Sequence, residues 1–267
     1  MRATLYTILH FFIRENIIVA SAVTALALST FYIFHQPIAY PYLLSLWAGA
    51  ILSYSFAKEG IFKYQDPLWW SCVLIVGYCF FLLNLQGKIL LFLSGVLSIL
   101  YNAPFLSQNL RSIPFLKIAI VAFCWVLSAV FLPLSESTIS FFSWQVWLLS
   151  LQYFLWICVL ILPFDIRDRT EDRAYLHTFP TVLGVRKTKI IGIITMLCYL
   201  LLSFYHTSVP LRLIQIGIAC ITLLFLLFAR EEQSPFYSGL LVECIPILYF
   251  LSSLFFKLKA KIEKSAF

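Results

Sequence analysis

Charge is scarce in this chain. Only 12% of its 267 residues are Asp, Glu, Lys or Arg, while 62% are hydrophobic. A soluble domain carries about twice that charged fraction, so a water-soluble globule is excluded. Aspartate is rarest of the charged types, with four in all: Asp66, Asp165, Asp168 and Asp172. No glycine-rich phosphate loop, Ser-His-Asp set or dinucleotide fingerprint is present, which removes the commonest soluble nucleotide and hydrolase classes. The seven cysteines form no C-x-x-C pair and none lies beside a histidine, so they read as small packing residues and a structural zinc site is not supported. The apolar runs do not alternate polar and apolar residues, which argues against a β-barrel.

Long uncharged runs take the place of charge. They cover residues 16–57, 67–87, 89–110, 118–135, 137–164, 190–211 and 213–229. Most reach the roughly 20 residues that a helix needs to cross a bilayer. The first run is too long for one crossing, and Gln36, Pro37 and Pro41 divide it in two. Glu243 stands alone inside a final apolar stretch. The expected architecture is an all-α, polytopic transmembrane bundle of about nine helices, near 14–34, 40–57, 67–86, 89–106, 114–134, 141–164, 189–206, 211–229 and 235–256. No cleavable signal peptide and no short repeat are visible, and residues 1–267 read as a single integral membrane domain.

The net charge of +7 is distributed along membrane edges. If the helices alternate from a cytoplasmic N-terminus, most bases, among them Arg14, Lys58, Lys63, Arg111, Lys117 and Arg167, fall on the cytoplasmic side. Lys88, Arg212 and the tail lysines 257, 259, 261 and 264 fall on the other, and the tail runs against the rule. Bases at headgroup depth meet anionic lipid, so membrane lipid rather than nucleic acid is the expected contact.

The scarce aspartates are concentrated in "PFDIRDRTEDR", residues 163–173, where seven of the last nine residues are charged. Such a segment cannot lie in lipid, at about 3 kcal/mol per central charge. On a continuous helix Asp165, Asp168 and Asp172 share one face, at i, i+3 and i+7. Asp168 and Asp172 are then a like-charge i,i+4 pair, and Arg169 and Arg173 form a like-charged strip beside them. Two readings stand. One is a mixed-charge loop that helps set topology. The other is a Mg²⁺-diphosphate site, since Mg²⁺ favours one or two carboxylates with water and phosphate oxygens completing its shell.

Downstream stands "HTFPTVLGVRKTK", residues 177–189. Together "DIRDRTEDR…TFPTVLG" resembles the second aspartate-rich motif of the UbiA superfamily of intramembrane prenyltransferases. Asp165, Asp168, Asp172 and Arg173 match its D-x-x-D-x-x-x-D-R part. Thr178, Pro180, Leu183 and Gly184 match the T-L-P-x-x-L-G-like helix start that follows. "LYNAPF", residues 100–105, followed by "LRSIPFLK" through Lys117, is similar to the family's loop between helices four and five.

The resemblance implies transfer of a prenyl group from a prenyl diphosphate to an aromatic or other lipophilic acceptor. The diphosphate would be gripped by Mg²⁺ on Asp165, Asp168 and Asp172. Arg173, Arg111, Lys117 and Tyr101 would be substrate partners. The family's first motif, N-D-x-x-D-x-x-x-D, is not matched. Its place holds "SYSFAKEGIFKYQDP", residues 53–67, without asparagine and with Glu59 and Asp66 at the wrong spacing. The Y-x-x-x-K element keeps Tyr101 but has Phe at position 105. Three readings follow: Lys58 substitutes an ammonium for the missing metal arm, a single metal serves on the second motif, or the chain is a non-catalytic prenyl- or lipid-binding protein. The Asp-rich loop would face the cytoplasm from the cytoplasmic membrane.

Overall fold

The computed structural model describes residues 2–60, 62–102, 113, 115–172, 176–206 and 208–265. Among these the chain is helical with no strand. The helices are α1 (Arg2–Arg14), α2 (Ile17–Ile33), α3 (Tyr40–Glu59), α4 (Pro67–Leu82), α5 (Leu85–Tyr101), α6 (Leu116–Val126), α7 (Leu132–Leu134), α8 (Trp144–Arg167), α9 (Arg169–Asp172), α10 (Phe179–Leu183), α11 (Val185–His206), α12 (Val209–Phe228) and α13 (Ile245–Ser265). A π-helical turn, Leu127–Phe131, joins α6 to α7, and a second, Tyr237–Val242, precedes α13. Counting each joined piece once and omitting α1, α9 and α10, nine long segments stand where nine were expected.

Five of them are long and apolar enough to span a bilayer unaided: Leu116–Leu134, Trp144–Arg167, Val185–Tyr205, Val209–Phe228 and Tyr237–Leu258. The surface is apolar where a soluble protein's would be wet, with Leu74, Tyr78, Phe81, Phe92, Leu201 and Phe228 all exposed. That inversion is what a lipid solvent requires. The chain is an integral membrane protein.

Local sequence explains where helices begin, bend and stop. Asp66 caps α4 by accepting from the Leu68 N–H at 2.9 Å, with Pro67 at the first helical position. Asn84 caps α5 through the Gly87 N–H at 2.7 Å. Gly60 ends α3 in the left-handed region, φ 70°, returning its N–H to the Phe56 carbonyl. Pro133 cannot donate to the carbonyl of Ala129, four residues back. The π turn sits at that point, and Thr30 Oγ1 of α2 donates to the orphaned Ala129 oxygen at 2.7 Å. Pro246 removes the corresponding donor to Val242 at the head of α13.

The first expected helix, 14–34, is corrected. The chain breaks at Glu15 and Asn16, and α1 meets α2 at a bend of 66°. α1 was hidden because its polar residues and terminal arginines disguise an amphipathic segment as a tail. It docks through Ile13 against Gly239, where a Cβ would lie only 2.8 Å from Ile13 Cγ2.

The bundle has a solid half and a hollow half. α8, α11, α12 and α13 close around Trp156, Tyr153, Tyr199 and Tyr249, all fully buried. Trp156 Nε1 donates to Thr222 Oγ1 at 3.1 Å, and Gln215 Nε2 to Gln152 Oε1 at 3.2 Å. These bonds join helices by partnering polar groups that lipid could not satisfy. By contrast α2, α3, α5, α6 and one face of α8 surround a cavity.

Candidate functional site

The cavity has a volume of about 640 Å³. Its wall is mostly apolar along its length, with Leu46, Leu91 and Val76 toward one end. Lys58 and Leu46 both line it, 12 residues apart on α3, so it extends about 18 Å along the helix at 1.5 Å per residue. The antiparallel course of the helices gathers the C-termini of α3, α5 and α8 with the N-termini of α2 and α6 at one end. There the lining turns charged: Lys58, Lys117, Asp165, Arg167, Asp168 and Glu243. The lysine-bearing segment 53–58 and the acidic residues 165–168 therefore face one cavity.

The acidic wall comes from the last turn of α8 and the short α9. Asp165 is fully buried and Asp172 nearly so, while Asp168 is half-buried. The continuous helix expected across the three is broken at Asp168, which ends α8. The chain keeps its course because the Asp172 N–H still reaches the Asp168 carbonyl at 2.8 Å. The like charges are neutralised from elsewhere. Lys117 Nζ, at the start of α6, donates to Asp165 Oδ1 at 2.7 Å and to Asp172 Oδ2 at 3.2 Å. Arg167 grips both oxygens of Asp168 and donates to Ser238 Oγ at 2.6 Å. Arg169 pairs with Glu231, outside the cavity.

Asp165 and Asp172 are thus brought together on one lysine, and Asp168 is turned to its neighbouring arginine. Among the described residues no group of three or more His, Cys, Asp or Glu converges on one point. One oxygen does stand ready for a cation. Asp165 Oδ2 is buried and has no hydrogen-bond partner among the described residues. A buried carboxylate oxygen without a donor is costly, and a divalent ion sharing Asp165 and Asp168 would satisfy it with the carboxylate number Mg²⁺ favours. The donor set fits one such ion.

The opposite wall carries the other sign. Lys58 sits in the last turn of α3, and its ammonium donates to Asn16 Oδ1, at the α1–α2 bend. Asn16 Nδ2 in turn donates to Ser55 Oγ at 3.1 Å. Glu243, half-buried after the second π turn, lines the same end, within electrostatic range of Lys58 and Arg167. The end of α3 is steadied by Asn102, whose Nδ2 donates to the Ala57 carbonyl at 3.2 Å.

Of the sequence-stated substrate partners, Lys58, Lys117 and Tyr101 line the cavity, and Tyr101 lies close enough to Lys117 to act on its charge. Arg111 and Arg173 lie outside the described residues. The sequence reading missed Asn16 and Arg167. A polar residue just before the first long apolar run was the only signal for Asn16, and Arg167 was absorbed into the count of topology-setting bases. It also missed the aromatic pair inside the cavity, where Trp125 Nε1 donates to Tyr54 Oη at 2.6 Å.

The fold is a membrane helical bundle that encloses a long apolar cavity, charged at one end. The UbiA prenyltransferase family model matches residues 59–254. The chain belongs to the UbiA prenyltransferase family. Its fold is similar to a UbiA homolog from Archaeoglobus fulgidus solved with DMAPP and Mg²⁺, at TM-score 0.65 and 14% identity, over 91% of this chain and 97% of that one. A structure of a UbiA homolog from the same organism bound to Cd²⁺ aligns at TM-score 0.59 and 15% identity, over 90% and 97%. Comparison with curated protein sequences gives no match.

Proposed function

We propose that this protein transfers a prenyl group from a prenyl diphosphate to an aromatic or other lipophilic acceptor, within the membrane and with residues 1–267 acting as one domain. The observation that carries the reading is the convergence of Lys58 and the Asp165–Asp168 pair on the charged end of one apolar cavity. The prenyl tail would lie along Leu46, Val76 and Leu91, and the diphosphate between the two charged walls. Asp165, Asp168 and Asp172 would hold Mg²⁺ on the acidic wall. When bound there, the ion neutralises charge on the leaving diphosphate. Lys58 does the same from the opposite wall as a fixed point charge. With a cation held on the aspartates, the Lys117 ammonium would be available to a phosphate oxygen, with Arg111, Arg173 and Tyr101 as further partners. Tyr54 and Trp125 present aromatic faces along the path of the tail, where they can stabilise a transient allylic cation.

Ionisation of the C–O bond would be favoured by the fixed charge of Lys58 on one side and by a cation held on the aspartates on the other. Water is kept away by the apolar wall. The acid-rich end faces the cytoplasm in this reading, which rests on the distribution of bases along the chain.

A non-catalytic prenyl- or lipid-binding protein of the same fold is favoured by one observation: Lys117 already occupies two of the three aspartates. Incubation of the purified chain with labelled geranylgeranyl diphosphate and lipid extract separates the two. Mg²⁺-dependent release of pyrophosphate with label passing to a second molecule supports transfer. Tight, Mg²⁺-independent retention of intact diphosphate would reject it in favour of binding alone.

A further inference from the structure

We propose that Asn16 is the positioning residue of the basic wall: its side-chain carbonyl takes one hydrogen of the Lys58 ammonium and aims the other two at a diphosphate in the cavity. The inference rests on the reading of Lys58 as a diphosphate ligand.

Chemistry fixes the orientation of this amide. An ammonium can only donate, so the atom of Asn16 that meets Lys58 must be Oδ1. The amide nitrogen then faces Ser55 Oγ, and it does so at 3.1 Å. Ser55 and Lys58 are i and i+3 on α3, hence on one face, and the single amide spans both. Asn16 is 1% exposed and Ser55 4%, so the bond between them is shielded, while Lys58 is exposed at the cavity end.

The backbone supports the same assignment. Asn16 has φ 60° and ψ 20°, the left-handed region that asparagine tolerates better than most residues. The bend between α1 and α2 and the presentation of the amide are therefore one event. Flanking contacts hold the bend: Glu15 is buried beside Arg14 at 2.7 Å and Lys63 at 3.6 Å. α1 continues to Ile13, which lines the cavity and seats on Gly239.

Neutrality matters as much as geometry. An aspartate here would hold the ammonium more strongly but would cancel its charge locally, and it would repel an incoming phosphate. A neutral acceptor orients Lys58 without adding a further negative charge to that of nearby Glu243. A lysine otherwise keeps high rotamer freedom, which a bound diphosphate would have to arrest.

The test uses the full chain in detergent, with geranylgeranyl diphosphate and Mg²⁺ as the probe, and reads both affinity and thermal unfolding. Asn16→Gly keeps the left-handed backbone and removes only the amide. Expected are a loss of about 100-fold for Lys58→Ala, and of about tenfold for Asn16→Gly with little change in unfolding temperature. In the Lys58→Ala background, Asn16→Gly should cost nothing further, because its effect runs through the lysine. A full-sized Asn16→Gly loss that persists without Lys58, or no loss while Lys58→Ala still weakens binding, overturns the positioning role. Unchanged binding in Lys58→Ala instead overturns the underlying reading of Lys58. If Asn16→Gly fails to fold, Ser55→Ala takes its place, since freeing Nδ2 unlocks the amide. A smaller loss that again vanishes without Lys58 supports the proposal, and an independent one rejects it.

Discussion

The two charged walls of the cavity are built on opposite plans. The acidic wall is written almost consecutively, with Asp165 and Asp168 lining the cavity at the end of one helix and Asp172 on its extension joined to Asp165 through Lys117. The basic wall is assembled from Asn16 ahead of α2 and Lys58 at the end of α3, with the acid Glu243 beside them. One wall concentrates negative charge, answers it with Lys117 and Arg167, and still leaves Asp165 Oδ2 unpartnered among the described residues. The other offers a cation already in place. The difference teaches that charge adjacent in the chain must be neutralised from elsewhere, whereas charge assembled from distant segments arrives already held.

The sharpest way to break this comparison is to remove the head of each wall. Asp165→Asn should abolish Mg²⁺-dependent binding of geranylgeranyl diphosphate, a loss on the order of 100- to 1,000-fold, as removal of one preorganised electrostatic group typically costs. Isothermal titration with and without Mg²⁺ reads it directly. Lys58→Ala should weaken the same binding by about 100-fold but leave the Mg²⁺ concentration for half-effect unchanged. A shift in that concentration would mean that the basic wall also handles metal.

A smaller perturbation exposes the role of Lys117. Lys117→Met strands Asp165 and Asp172 without their shared cation, a loss of about 3 kcal/mol of stability for a buried pair broken on one side. Added Mg²⁺ should recover more unfolding temperature in this variant than in the parent chain. Equal recovery in both would show that the lysine and the metal do not share a place.

Weaker still is the seat of α1. Gly239→Val drives a side chain into Ile13 and should cost about 1–3 kcal/mol. Limited proteolysis should then cut first near residues 2–14. The smallest effect is expected from Tyr54→Phe, which leaves Trp125 Nε1 without its acceptor, for about 1 kcal/mol in chemical unfolding.

The reach of sequence reading follows from the same contrast. The nine long helical segments among the described residues were legible because a bilayer selects by composition, and uncharged runs report it directly. The acidic wall was legible because its residues are neighbours in the chain. Its neutralisation was not: Lys117 lies 48 residues from Asp165, and nothing local announces the pair. Asn16 and Lys58, 42 residues apart, were invisible for the same reason. α1 escaped because it is too polar to register as a span. Glu243 was noticeable only for standing alone in an apolar stretch, and the π turn before it explains how the helix turns that side chain into the cavity.

The placement of the two terminal helices carries a practical consequence. α1 rests at the doorstep of the charged chamber, whereas α13 runs from beside Glu243 past Tyr32 to the far surface. A fluorescent protein or affinity handle fused ahead of Arg2 would sit on the side of the charged chamber, while the same cargo at the end of α13 would lie toward the other end of the bundle. For anyone purifying or imaging this enzyme family member, the two ends are not equivalent places to attach anything.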